Sequence, residues 1–322
     1  MKTAIAALLA ATMFTSAASA EEIILAHGNP PAPNPRALGA ELFGELLASC
    51  TKGAITVNIA HSATMGDDVE LLTSTAAGVI QLTPNSQGAT GQIIPEINAI
   101  GLPFLFNDAP TAWRVLDGEV GKLLDEKAQT AGLKILGFWD NGIRHVTHLT
   151  KAINTPADLN GVKIRTPPDE MTLAIFKAFG ANPAPLAWSE LPSALQSGVF
   201  EAQENPLSNT YSAKIHEITP QVTFTAHKYE AAPFFANLAW YSGLSDTDRA
   251  CVDIAADGAK WYQRGASLRT STSLIEPMKA EGVTFTEIAD KQPFIGATKS
   301  VYDDYAARMP DLVAKLREAA GK

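Results

Sequence analysis

Apolar positions along this chain switch repeatedly between a period of two and a period near 3.6. Ile23-Ile-Leu-Ala26 reads as a strand. The Pro-rich stretch from Pro30 to Pro35 leads into a helical pattern carried by Leu38, Phe43, Leu46, Leu47 and Cys50, with Gly53 placed to stop it. Ile55-Thr-Val-Asn-Ile59 then alternates again. Strand, helix, strand is the opening of a βαβ unit. Gly78-Val-Ile-Gln-Leu-Thr83 continues the strand pattern, followed by a Gly/Gln/Asn-rich loop and the apolar run from Ile100 to Phe106. Asp108 is placed to cap a helix with Trp113 and Leu116, and a second helix with Val120, Leu123 and Leu124 ends near Gly132. Leu133 to Phe138 predicts the strand that brings the chain to Arg144.

Beyond Arg165, Pro167-Pro168 leads into a helix from Asp169 in which Met171, Ile175 and Phe179 recur at spacing four and Gly180 marks the end. A shorter helix runs from Ser189 to near Gly198. Ser245 with Asp248 has capping-box spacing and opens an alanine-rich helix through Trp261 toward Met278, long enough to tie two domains together. A strand from Val283 to Ile288 and a single C-terminal helix from Lys299 to Ala320 complete an α/β chain without internal repeats.

The N-terminus changes the compartment. Met1-Lys2, the apolar run from Ala4 to Phe14, and Ala18-Ser-Ala20 before Glu21-Glu22 predict a secretory signal peptide over residues 1–20, too short in its apolar core to span a bilayer. The mature chain is expected in the periplasm, beginning at Glu21. It would hold 322 − 20 = 302 residues with 24 basic and 34 acidic side chains, so its formal charge moves from −9 to −10. That balance argues against nucleic acid as a partner. Cys50 and Cys251 either form a disulfide in an oxidising compartment or pack as small hydrophobes, and the sequence leaves both open.

Several chemistries lack their motifs. There is no Gly-x-Ser-x-Gly elbow, Walker loop, dinucleotide fingerprint or Cys-x-x-Cys pair. His145 and His148, the only histidines close in sequence, would point to opposite faces of a strand, so neither a metal nor a cofactor is expected. Asp67-Asp68 reads as the cap of a helix containing Val69, Leu71 and Leu72. Two arginines stand out: Arg144 in Asn141-Gly-Ile-Arg, and Arg165 at a strand end just before a proline turn and a helix start. A guanidinium is always charged and its planar fork pairs bidentately with a carboxylate. Strand ends are where α/β proteins place ligand contacts, so both arginines point to a receptor for an organic acid. The N-termini of the two helices that follow could face the same cleft.

Six segments together carry a family resemblance: Met65-Gly-Asp-Asp, Leu102-Pro-Phe, Asn141-Gly-Ile-Arg, Pro156-Ala-Asp-Leu-Asn-Gly-Val-Lys-Ile-Arg-Thr-Pro167, Trp188-Ser-Glu-Leu-Pro-Ser-Ala-Leu-Gln-Ser-Gly198 and Gln203-Glu-Asn-Pro206. From Ile24 to the C-terminal helix the chain resembles the solute receptors of tripartite ATP-independent periplasmic (TRAP) transporters, the DctP family. The resemblance implies two α/β lobes joined by crossing strands and a long helix, closing by a hinge over a ligand cleft. Lobe I is expected to hold residues 21–143 plus 231–270, and lobe II residues 144–230 plus 271–322. Arg165 matches the family's carboxylate clamp, Arg144 a second cationic contact, and Asn205 the asparagine that orients the ligand. Trp188 matches an aromatic that packs on it. Ser86 and Gln87 are expected on the lobe I loop facing the cleft, Asp67 nearby, and His27, Trp139, His227 and Tyr229 as wall residues. Two features depart from the pattern: Glu201-Ala202 replaces a common Asp-Gly, and Ser86 and Ala89 stand where sialate receptors carry acidic and basic residues, which argues against a sialic acid.

The expected function is a monomeric receptor, not an enzyme, that binds a small organic carboxylate, a sugar acid or hydroxy acid above others. It would deliver this ligand to the small and large membrane subunits of a TRAP importer. Two other readings stay open, a ligand-sensing subunit for a signalling partner and a secreted lyase or hydrolase. The latter needs a base poised at the substrate, and the sequence offers none.

Overall fold

Nine strands among the described residues, 20–322, share one sheet: β1 (Glu21–Ala26), β2 (Ile55–Ala60), β3 (Leu82–Pro84), β4 (Leu133–His148), β5 (Lys163–Thr166), β6 (Asn182–Pro185), β7 (Ala202–Asn205), β8 (Gln221–Asn237) and β9 (Thr284–Thr286). The expected signal peptide lies, but for Ala20, outside the described residues of this computed structural model. The sheet order is β2-β1-β3-β8-β4-β7-β5-β6, with β9 added to β8. At one end β1 pairs in parallel with β2 and β3, and at the other β5 pairs in parallel with β6 and β7. Between these parallel blocks β4 and β8 run antiparallel along nearly their whole length, from Leu133 opposite Asn237 to His148 opposite Gln221.

Two lobes follow from that topology. The first half of β4 and the second half of β8 complete the sheet of β1–β3, while their other halves pair with β7 and β9. Both long strands therefore cross from one lobe to the other. The crossing is irregular: the β4/β8 register shifts between Asp140 and Gly142 and again between Arg144 and Val146. Gly142 has φ +115°, a conformation that side chains with a Cβ rarely adopt, and Ala226 on β8 has φ +47°.

A long helix adds the third connection. Ser245 Oγ accepts from the Asp248 N–H at 3.1 Å, as the capping pattern predicts, and the helix runs Asp246–Ser273. Its small residues Ala255, Ala256 and Ala259, with Val252, pack beside Phe43 and Leu47 of helix Pro35–Cys50. At Gly39 a Cβ would lie 2.9 Å from Cβ of Gln263, so the two helices meet there only because no side chain intervenes. Gln263 grips the crossing strand, accepting from the Asp140 N–H at 2.8 Å and donating to the Asp140 carbonyl at 2.7 Å. Arg264 donates to the Phe138 carbonyl at 3.0 Å. Cys50 and Cys251 form a disulfide across the same helix pair, with Cα atoms 5.6 Å apart.

Three elements differ from the sequence reading. The C-terminal helix is two, Lys299–Arg308 and Pro310–Ala319, because Pro310 donates no hydrogen bond and displaces Met309 from helical geometry. The long helix stops at Ser273, and Met278 belongs to a separate short helix, Ile275–Ala280. The strand expected from Gly78 shortens to Leu82–Pro84. Gly78, with φ +79° and its N–H on the Thr75 carbonyl, is spent closing helix Asp68–Ala76.

The disulfide closes a sequence separation of 201 residues, so its loss frees a very large loop in the unfolded chain. Replacing both cysteines by alanine should lower unfolding stability by about 2–5 kcal/mol in denaturant titration, and reductant should do the same to the native protein. An unchanged midpoint would mean that the helix pair needs no cross-link.

Candidate ligand cleft between the lobes

The carboxyl ends of β1, β3, β5, β6 and β7 open toward one crevice, the place where α/β sheets bind ligands. Lobe I contributes Gly28 and Asn29 after β1, Arg36 in the first turn of helix Pro35–Cys50, Asp68 at the start of helix Asp68–Ala76, and Ser86 after β3. From lobe II come Arg165 on β5, Pro167, Trp188 after β6, Asn205 at the end of β7, and Asn209. Asn141 and Arg144 on β4 and Glu230 on β8 form the floor. The lobes meet over this crevice. Asn29 Nδ2 donates to Asn209 Oδ1 at 3.0 Å, Gln92 Nε2 to the Pro168 carbonyl at 2.8 Å, and Ser189 Oγ to the Asp67 carboxylate. About 40 Å³ remains inside.

Arg165 is buried, with Nε and Nη2 both donating to the Leu186 carbonyl at 2.9 and 2.6 Å. That double contact fixes the plane of the guanidinium and leaves Nη1 without a hydrogen bond among the described residues. Burial, opposed by Glu204 and reinforced by Arg144, brings its pKa down to about 10, so it stays protonated at neutral pH. The Trp188 ring lies with its centroid 6.0 Å from the guanidinium carbon.

Arg144 differs in kind. Nε donates to Glu204 Oε2 at 2.5 Å, Nη1 to Glu230, and Nη2 to both the carbonyl and Oε1 of Glu204 at 2.7 Å. Burial works against its charge, but Glu204 and Glu230 outweigh it and hold its pKa above the ordinary value. Burial likewise disfavours the Glu204 carboxylate, yet Arg144 and His227 prevail and keep it ionised far below the usual range. Arg144 thus lines the floor with its donors already engaged by protein. Its Nη2 also reaches Asn205 Oδ1 at 3.1 Å, while Asn205 Nδ2 donates to Gln203 Oε1 at 2.5 Å, so the Asn205 amide is held in one orientation.

Opposite Arg165 stands a mixed wall. Ser86 Oγ donates to Asp68 Oδ2 at 2.5 Å, and burial, countered by Arg36, raises the Asp68 pKa. Arg36 itself has its pKa lowered by burial, with Asp68 and Glu230 opposing. Its guanidinium reaches only Asn141 Oδ1, at 3.4 Å, among the described residues. The carboxylate can accept from a ligand hydroxyl group while the under-bonded guanidinium beside it donates to the same group.

The other expected wall residues lie elsewhere. Trp139 is in the lobe I core against Phe234, with ring centroids 4.7 Å apart. His227 and Tyr229 are one residue out of phase with Glu230 on β8 and turn away from the cleft, His227 between Glu204 and Thr225, Tyr229 against Phe106. Gln87 lies beneath the floor, accepting from the Ala231 N–H at 3.2 Å. His27 is buried with Nε2 3.0 Å from His61 Nδ1. Asp67 occupies the N-cap position without a capping bond, because its carboxylate reaches across to Ser189. The helix from Glu170 does not offer a free N-terminus either: Asp169 caps it and pairs with buried Lys228. Sequence reasoning missed Arg36, Asp68, Asn209, Glu204 and Glu230. Of these, Glu230 carried a signal, since a charge just before the apolar run Ala231-Ala-Pro-Phe-Phe-Ala236 requires a buried partner.

Residues 25–308 match the family described as bacterial extracellular solute-binding protein, family 7, or DctP. The chain belongs to the DctP family. It is 40% identical to the uncharacterized protein y4mM of Sinorhizobium fredii across 95% of its own length, and spans 56% of that protein. It is 33% identical to the 2,3-diketo-L-gulonate-binding periplasmic protein YiaO of Escherichia coli, covering 81% of this chain and 79% of YiaO. Its fold is similar to a TRAP periplasmic solute-binding protein from Roseobacter denitrificans solved with bound β-D-glucuronate, with TM-score 0.89, 30% identity, and coverage of 92% of this chain and 99% of that one. The match is to two-lobed receptors. Among the described residues no group of three or more His, Cys, Asp or Glu side chains is arranged to hold a metal ion, and no helix is long and apolar enough to cross a membrane.

His27 has its pKa pushed well below the usual 6.5 by burial, with Arg36 and His61 adding to the effect. Below pH 6.5 the unfolded chain therefore takes up a proton that the folded one refuses, and stability falls with pH until the lowered folded pKa is reached. The slope is about 1.4 kcal/mol per pH unit. Asp68 and Asp140, raised mainly by burial, act in the opposite direction as pH falls through their folded values, so the test is a difference. Between pH 6.5 and 5 His27→Gln should lose less stability than the native protein by that slope, measured by denaturant titration. Parallel pH profiles would contradict it.

Proposed function

We propose that the protein is a periplasmic TRAP receptor that holds a hydroxylated monocarboxylate, a sugar acid such as a uronate or aldonate, between its lobes and passes it to the small and large membrane subunits of the importer. The observation that carries this reading is the division of labour across the cleft. On the lobe II side Arg165 presents an unengaged guanidinium edge, suited to one carboxylate. On the lobe I side Asp68, Arg36 and Ser86 form a wall that suits hydroxyl groups, and Asp68 and Glu230 repel a second carboxylate. Charges in and under the cleft balance before ligand arrives: Arg36, Arg144 and Arg165 against Asp68, Glu204 and Glu230. Trp188 then packs on the ligand body and Asn205 orients the carboxylate. Glucuronate in the Roseobacter denitrificans protein and 2,3-diketo-L-gulonate in YiaO's name are both sugar acids, which supports the class.

Export through the leader at residues 1–20, a monomeric state, and lobes comprising 21–143 with 231–270 and 144–230 with 271–322 complete the reading. The irregular crossing at Gly142 and Ala226 supports the hinge there. The innermost part of the cleft keeps about 40 Å³, with a volume of about 430 Å³ adjoining it at Asp68, Arg165 and Trp188, so seating a sugar acid at the floor requires the lobes to part. No catalysis is assigned, because Glu204 and Glu230 are tied to Arg144 and Asp68 to Ser86, and none is set out as a general base.

Arg165→Lys keeps the charge but cannot hold the Leu186 carbonyl and a carboxylate together, so affinity should fall by about 2 kcal/mol, roughly thirtyfold, in calorimetry. Equal affinity in a folded variant would remove Arg165 from the anchor role. The ligand class is tested by mass spectrometry of small molecules released on denaturation and by a thermal-shift panel of carboxylates. Sugar acids should stabilise the protein and be recovered unchanged. Tight binding of succinate or malate with sugar acids silent would overturn the class, and silence of every carboxylate would overturn the receptor reading.

A further inference from the structure

A second cavity lies behind the crossing strand, and its chemistry is the reverse of the cleft's. Side chains alternate along β4, so Arg144 lines the front while its neighbours Ile143 and His145 line the rear. The rear cavity encloses about 250 Å³ and is mostly apolar. Its floor, at Pro206, Leu207, Ser208 and Ser267, is buried, whereas its rim at Pro110 and Leu268 is exposed, so a small molecule can reach it from solvent.

No lysine or arginine lines this cavity among the described residues, and its two acids are already engaged. Asp108 accepts from the Thr111 N–H at 2.8 Å and caps the helix that follows. The Asp140 carboxylate accepts from Trp113 Nε1 at 2.9 Å and from Ser267 Oγ at 2.6 Å. A carboxylate entering here would meet two acids and no cation to offset them.

Two other polar groups on the lining make no hydrogen bond among the described residues. His145 Nδ1 accepts from the Ala226 N–H at 3.2 Å, so the proton of the neutral ring sits on Nε2, which is left without an acceptor. Burial, with His227, Lys291 and Arg144 adding to it, brings the ring's pKa down to about 3, so it is neutral at pH 7. Ser208 is only 7% exposed, and its hydroxyl is likewise unpaired. Buried donors in apolar surroundings are costly unless something accepts from them.

We propose that the rear cavity is a second binding site, for a small uncharged carbonyl compound whose apolar body fills the cavity and whose oxygen is met by the donors of His145 and Ser208. An apolar cavity of about 150 Å³ takes benzene. The volume here, about 250 Å³, therefore suits a ring carrying an acetyl-sized group. The site stands apart from the receptor reading, since neither its donors nor its walls belong to the anchor at Arg165.

The experiment titrates the full protein with acetophenone, and with toluene, which has the ring but no acceptor, by ligand-observed NMR. Acetophenone should bind, and neither benzoate nor glucuronate should displace it. Ser208→Ala and His145→Phe should each lower the ratio of acetophenone to toluene affinity by about three- to tenfold, the worth of one hydrogen bond. Ser271→Trp, at an exposed position on the rim, should block both probes. Folding is checked by melting, and if His145→Phe fails because it strands the Ala226 N–H, Ser208→Ala decides alone. Absence of acetophenone binding, its displacement by either acid, or an unchanged ratio in folded Ser208→Ala would overturn the proposal. If glucuronate does not bind the protein at all, the ratio still decides the rear site.

Discussion

Arg144 is the point on which the rest of the structure turns. It is 2% exposed in the middle of a crossing strand, and its guanidinium joins β4 to β7 through Glu204 and to β8 through Glu230. Three charges buried together are costly to desolvate, and they are tolerable because the donors are met at short range. Removing one partner of such a network costs about 3–5 kcal/mol, since it strands the others in a dry site. The network sits where the β4/β8 ladder is irregular, so it supplies cohesion at the place where the backbone hydrogen bonds lapse.

The same network prepares the cleft chemically. By absorbing Arg144 it leaves Arg165 as the arginine whose edge is unengaged on the lobe II side, and by fixing Asn205 it sets the amide beside it. Arg36 faces the acidic side of the cleft with a single long hydrogen bond among the described residues. An acidic protein can bind an anion because the deciding field is that of a few buried groups, not the net charge of −9 on the full chain.

Further anchors surround this floor. Gln263 holds both backbone groups of Asp140, Arg264 holds the Phe138 carbonyl, and the Cys50–Cys251 disulfide ties the two lobe I helices together. The Gln263 and Arg264 anchors act on the lobe I half of β4. Beyond Gly142 the strand enters lobe II without a hydrogen-bonded tether of that kind to the long helix among the described residues.

The sequence by itself determined the α/β class, the capped long helix, the strands around Arg144 and Arg165, and the family, because these depend on local periodicity, caps and contiguous motifs. Arg165, Trp188, Asn205 and Ser86 reach the cleft because each sits at or just past a strand end; for Arg165 that position is readable from the proline turn after it, and for the other three it was legible through the family resemblance. Only the tertiary structure decided which neighbours of those residues face inward. Trp139, His227 and Tyr229 belong to strands whose phase is set by bulges and long-range pairing, so a shift of one residue sends them into the core and leaves Asn141 and Glu230 at the cleft. The pairing of Arg144 with Glu204 and Glu230, the arrival of Arg36 beside Asp68, and the bond between Cys50 and Cys251 join residues 32 to 201 positions apart. Local patterning carries no information over such distances, and the folded geometry alone brings those charges and thiols together.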